Sequence, residues 1–104
     1  MPVPTYDELL EPTVHALQDL GGQATNTEIE QRVIERLSLS EDVVREPHGT
    51  TGQTSLAYRL AWARTYLKTS GYLQRVSTGV WQLTPEGLQA TTVDPAQVKQ
   101  MVRN

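Results

Sequence analysis

Four cations, Arg59, Arg64, Lys68 and Arg75, fall between Glu46 and Glu86 in a stretch with no acidic residue. Guanidinium and ammonium groups gathered without neutralising carboxylates attract a polyanion, and a nucleic-acid backbone is the obvious one. The preceding residues, 1–46, hold ten acids against Arg32, Arg36 and Arg45, and the whole chain carries a formal charge of −3. Net charge alone argues against nucleic acid. The local field of a one-signed patch, rather than the total, is what a polyanion feels.

Catalytic and metal chemistry is poorly supplied. His15 and His48 are far apart and have no neighbouring His or Cys, so neither suggests a metal site. No glycine-rich phosphate loop or nucleophile elbow is present. Asp94, Gln97 and Lys99 superficially match the acid–Gln-x-Lys end of a nuclease centre. That centre needs its residues on adjacent strands with further carboxylates for a metal, whereas these follow Pro95 within a helical pattern. The sequence therefore points to binding without catalysis, metal or cofactor.

A length of 104 residues, 38% hydrophobic and 20% charged, suits one small globular domain. There is no cysteine, hence no disulfide framework and no thiolate nucleophile. The opening Met1, Pro2, Val3 and Pro4 lack a basic and apolar leader, and no apolar run approaches membrane-spanning length. The cytoplasm, in association with the nucleoid, is the expected compartment, with no membrane partner.

The elements that would position the cations follow from caps and periodicity. Thr5 with Glu8 has capping-box spacing and opens a helix bearing Leu9, Leu10, Val14 and Leu17, which Pro12 should kink or divide and Gly21 and Gly22 should end. Residues 23–25 suit a short strand. Thr25 with Glu28 caps a second helix through Leu37. Ser40 caps a short turn that Pro47 stops. The longest helical segment covers residues 54–70 and ends at Gly71. Residues 72–76 and 80–83 alternate as strands around Ser77, Thr78 and Gly79, the pattern of a type I turn with a G1 bulge. Thr84 with Pro85 and Asp94 with Pro95 each start a further helical turn. Helix, strand, helix, long helix and hairpin in this order predict a mainly α fold with a small β-hairpin wing (α+β), a winged helix-turn-helix.

On a helical wheel, Leu56, Leu60, Ala63, Tyr66 and Leu67 share one side of the long helix, with Trp62 at the edge. Thr54, Ala57, Tyr58, Ala61, Arg64, Thr65 and Lys68 occupy the other. Alanines permit close approach, hydroxyls can read base edges, Arg64 can reach a guanine edge or a phosphate, and Lys68 suits a phosphate. The predicted DNA-binding set is Thr51, Thr54, Tyr58, Arg64, Thr65 and Lys68 on the helix and its approach, with Arg75, Ser77 and Thr78 on the hairpin. Arg75 serves either a phosphate or the sheet edge. Arg59, on the flank nearer the core, is expected to pair with a carboxylate of the first two helices. Trp62, Tyr66, Tyr72 and Trp81 are expected to point inward as packing, and no single-strand stacking platform on neighbouring strands is found.

Three stretches carry a family resemblance: Pro4-Thr5-Tyr6-Asp7-Glu8-Leu9-Leu10 with Pro12; Trp62-Ala63-Arg64-Thr65-Tyr66-Leu67-Lys68 with Gly71-Tyr72-Leu73; and Gly79-Val80-Trp81-Gln82-Leu83-Thr84 with Gly87. The sequence resembles the N-terminal domain of Mrr-type restriction endonucleases across roughly residues 2–88, and the Trp62–Lys68 run carries most of the specificity. The resemblance implies a winged helix that docks a nuclease domain onto duplex DNA, in enzymes of bacterial defence that restrict methylated or otherwise modified DNA. That family's metal-dependent nuclease domain is not found here. The expected division is a winged-helix domain over residues 1–90 and a C-terminal helix or linker over 91–104. Expected partners are double-stranded DNA and a nuclease domain or subunit, with a homodimer left open. The alternative is a protein-interaction module on the same fold, docking through the acidic helices or the Val98, Met101 and Val102 stripe.

Overall fold

The computed structural model describes residues 2–103; Met1 and Asn104, at the ends of the two expected segments, lie outside them. Threonines begin most of the elements that matter. Thr5 and Thr25 each close a full capping box, with Glu8 and Glu28 respectively, at the heads of α1 (Tyr6–Asp19) and α2 (Asn26–Leu37). Ser40 caps the short α3 (Glu41–Arg45), Thr54 caps α4 (Ser55–Thr69), and Thr84 caps α5 (Pro85–Gln89) with proline in its first turn. The last helix, α6, spans Pro95–Arg103, and the Asp94 carboxylate accepts the Ala96 N–H at 3.0 Å at its head.

Helix α1 runs unbroken through Pro12, where a kink or division was expected. The carbonyl that loses its donor belongs to Glu8, an exposed residue, so water can satisfy it.

Strands β1 (Gln23–Thr25), β2 (Leu73–Ser77) and β3 (Val80–Leu83) form one antiparallel sheet in the order β1-β3-β2. Ala24 pairs with Trp81, and Leu73 pairs with Leu83. Gly79 turns the hairpin at φ 74°, and the β2–β3 register slips by one between Arg75 and Ser77, leaving Val76 as the extra residue. The protein is thus a mixed α/β fold of six helices, among the described residues, and a three-stranded sheet.

The core forms where α1, α2 and α4 meet the sheet. Leu9, Leu10, Val14 and Leu17 of α1, Ile29 and Val33 of α2, and Leu56, Leu60, Ala63 and Leu67 of α4 are fully buried. Val98 of α6 joins them at 1% exposure, and Lys99 pairs with Asp7 at 2.6 Å, so α6 packs on the same core. The aromatic expectation holds for Tyr66, Tyr72 and Trp81, which pack against this core. Trp62 departs from it: its side chain is 46% exposed, because on the α4 wheel it lies at the margin of the buried arc, about 100° from Ala63 and about 160° from Leu60.

Candidate nucleic-acid interface

Four of the nine bases make ion pairs among the described residues, and the unpaired ones on α4 and the hairpin define the candidate surface. Asp19 receives Arg32 Nε at 2.9 Å and Arg36 Nη1 at 2.6 Å, and these bonds hold its carboxyl below the usual carboxylate range. Arg45 pairs with Glu41 at 2.5 Å. Arg59, expected on a carboxylate, instead donates to the backbone carbonyls of Val3 and Pro4 at 2.8 and 3.1 Å, and so pins the N-terminal segment to α4. Among the described residues, Arg64, Lys68 and Arg75 make no ion pair. All three lie in the acid-free stretch.

On α4, Thr54 Oγ1 is committed to capping, accepting the Ala57 N–H at 3.1 Å. Thr51 is exposed; its hydroxyl donates to the His48 carbonyl at 2.8 Å and accepts the Gln53 N–H at 3.2 Å. Tyr58 stacks on His48, with ring centroids 3.9 Å apart and planes 16° apart. Thr65 and Lys68 are exposed, and the Thr65 hydroxyl donates back to the Ala61 carbonyl at 3.1 Å.

Arg64 does not stand on the wet face where the wheel put it. It is only 8% exposed, tucked beside Trp81 with its guanidinium carbon 5.9 Å from the ring centroid. Burial pulls its pKa below the ordinary arginine value, and the charge of Glu30 opposes that shift. The wheel sets Arg64 on the flank of α4 rather than at its outer centre, and the first turn of α2 and the hairpin close over that flank.

The hairpin residues divide. Arg75 lies across from Trp81 and shares its face, while Ser77 lies across from Val80 on the opposite face. Arg75 Nη2 donates to Thr78 Oγ1 at 3.3 Å, and Arg75, Ser77 and Thr78 are all exposed.

Sequence reasoning missed a run of rings. Tyr58, Trp62 and Tyr66 recur every four residues along α4, with edge-to-face centroid separations of 6.5 and 6.2 Å. Tyr6 meets Tyr66 at 5.0 Å. The spacing was visible in the sequence; the exposure of its middle ring was not.

The residues left over from the nuclease-like run have structural partners. Asp94 caps α6 and Lys99 pairs with Asp7, so neither points at a reacting centre. Among the described residues no helix is long and apolar enough to cross a membrane.

A small mixed α/β domain with uncompensated cations on its long helix and hairpin is a class with many members. Comparison narrows it. A family model of the Mrr N-terminal domain matches residues 6–92, and the chain belongs to that family. It is 32% identical over 104 residues to the type IV methyl-directed restriction enzyme EcoKMrr of Escherichia coli (strain K12). That match covers 100% of this chain and 34% of the relative, so the chain spans about a third of the relative's length. No solved structure matches it.

Proposed function

We propose that this chain is a non-catalytic, duplex-DNA-binding domain of winged-helix type, the targeting module of an Mrr-like restriction protein. One observation carries the reading: of the five cations that make no ion pair among the described residues, Arg59, Arg64, Lys68, Arg75 and Arg103, all but Arg103 of α6 lie on α4 and the neighbouring hairpin. The order helix, strand, three helices and hairpin, with a β1-β3-β2 sheet, supports the winged-helix assignment.

In this reading Tyr58, Thr65 and Lys68, with Thr51 and Thr54 at the head of the helix, face the major groove. Arg75, Ser77 and Thr78 flank it on the hairpin. A nuclease domain or subunit is the natural partner, and a second copy or a tethered domain raises the modest affinity of one module. The residues beyond position 90 connect the DNA-binding part to such a partner. The expected compartment is the cytoplasm.

The test is fluorescence anisotropy of matched duplexes, one methylated and one plain, at three salt concentrations. With about four phosphates engaged, log affinity against log salt should have a slope of about −3 to −4. The pair of duplexes reports whether this domain itself distinguishes modified DNA. Incubation with magnesium should leave both uncut. Absence of salt-dependent binding would remove the reading.

A second reading, a protein-docking module, draws on the exposed ring of Trp62 between Tyr58 and Tyr66. Docking through such rings survives moderate ionic strength, which phosphate binding does not.

A further inference from the structure

Arg64 is the one buried charge that the packing leaves unexplained. Its Nε has no hydrogen-bond partner among the described residues. Arg32, Arg36, Arg45 and Arg59 all have oxygen acceptors. A buried guanidinium nitrogen without an acceptor is costly to maintain and calls for an explanation.

The side chain lines a cleft of about 260 Å3 between the head of α2 and the middle of α4. Ala57 and Ala61 form its floor, and Asn26, Thr27, Glu30 and Gln53 complete it. Asn26 Oδ1 accepts the Trp81 indole N–H at 2.8 Å, which leaves the amide hydrogens of Asn26 as the donors available to the cleft. The Asn26 N–H is bound by the Gly79 carbonyl at 2.9 Å, whereas Thr27, one residue on, has no intrahelical acceptor by helix geometry. The positive end of the α2 dipole points the same way. Donors outnumber the Glu30 carboxylate on this lining, so the cleft suits a group rich in acceptors.

A duplex offers two kinds of acceptor. Base edges lie recessed in the groove and can be read only by side chains that protrude. Arg64 does not protrude. Backbone phosphates stand at the outside of the duplex and can enter a cleft.

We propose that the Arg64 cleft clamps one backbone phosphate of duplex DNA, the guanidinium and the first turn of α2 donating to its non-bridging oxygens. The inference rests on the DNA-binding reading above. Glu30 on the wall repels an oxyanion while helping to keep Arg64 charged. A free phosphate therefore gains little here, and one delivered by a duplex that is held elsewhere gains more.

The experiment uses the intact chain with a plain duplex, in wild type and in the Arg64→Gln, Arg64→Lys, Glu30→Gln and Lys68→Ala variants, each checked by circular dichroism. Arg64→Gln should weaken binding about tenfold and flatten the salt slope by about 0.9, the value of one phosphate contact. Glu30→Gln should tighten binding, and Arg64→Lys should fall between wild type and Arg64→Gln. Unchanged affinity and slope in a folded Arg64→Gln overturn the clamp, and if only Lys68→Ala weakens binding the DNA-binding reading survives without it. Weaker binding by Glu30→Gln also overturns the clamp, since that carboxylate would then be accepting a base amino group. If Arg64→Gln does not fold, the opposite signs expected for Glu30→Gln and Arg64→Lys decide the matter. A wild type that binds no duplex ends both proposals. Inorganic phosphate serves as the second probe: a melting shift lost in Arg64→Lys, with duplex affinity unchanged, would reassign the cleft to free phosphate and overturn the proposal.

Discussion

The indole N–H of Trp81 donates to Asn26 Oδ1 at 2.8 Å, which ties the hairpin to the first residue of α2. The same Asn26 side chain lines the Arg64 cleft, so this bond joins the β1–β3 pairing and the Asn26 N–H to Gly79 carbonyl bond in holding the hairpin beside that cleft. Asn26→Ala and Trp81→Phe each remove that bond. Each should cost about 1 kcal/mol in urea unfolding. The double variant should cost less than the sum of the two, because the second change has no bond left to break.

Lys68 and Arg75 are exposed and make no ion pair among the described residues, and the one side-chain bond given for Arg75, to Thr78 Oγ1, is an exposed one at 3.3 Å, so little of the fold rests on either. Lys68→Ala and Arg75→Ala should leave thermal unfolding unchanged while each lowers duplex affinity. Each should also flatten the slope of log affinity against log salt by about 0.9. A charge variant that melts early would instead mean that its side chain packs.

Gly87 is where α5 lies flush against the carbonyl of Tyr72, and a Cβ there would overlap that backbone oxygen and crowd Leu83. Gly87→Ala should therefore destabilise by about 1–3 kcal/mol, as overpacking of a rigid neighbour does. Denaturant midpoints measure it. No loss of stability would show that α5 can shift away.

Asp19 predicts the acid response. Hydrogen bonds from Arg32 and then Arg36 depress its folded pKa, so the associated stability is present above the unfolded carboxylate pKa. It is lost as pH falls through the lower folded value. Asp19→Asn should lower the melting temperature near neutral pH, and the gap from wild type should close on acidification below about pH 4. A gap that widens in acid would contradict the sign.

Local signals were largely readable from the residues alone. Thr25, Thr54 and Thr84 announce their helices because a hydroxyl cap serves amides only three residues away. Gly79 marks the hairpin because its backbone conformation excludes most other residues. What stayed hidden depends on distant parts of the chain. The wheel ranks Arg64 by its angle on α4 alone, but its burial comes from α2 and Trp81 closing over that flank. Arg59 was assigned a carboxylate because charge suggests charge, whereas the acceptors within reach are carbonyls of the N-terminal segment. Trp62 was placed inward on residue type, and its angle on the helix overrode that.

The slip at Val76 changes the parity of the hairpin. Counting by twos from Arg75 should return to the same side of the ribbon at Ser77, yet their partners Trp81 and Val80 are adjacent and so face opposite ways. Were the pairing regular, with Val76 matched like its neighbours, Arg75 and Ser77 would point together; the slip prevents that. With it, the arginine is aimed alone toward the Trp81 side and the serine is left behind. Deleting Val76 would make Arg75 and Ser77 direct neighbours opposite Trp81 and Val80, so the bulge would go while the two side chains stayed on opposite sides.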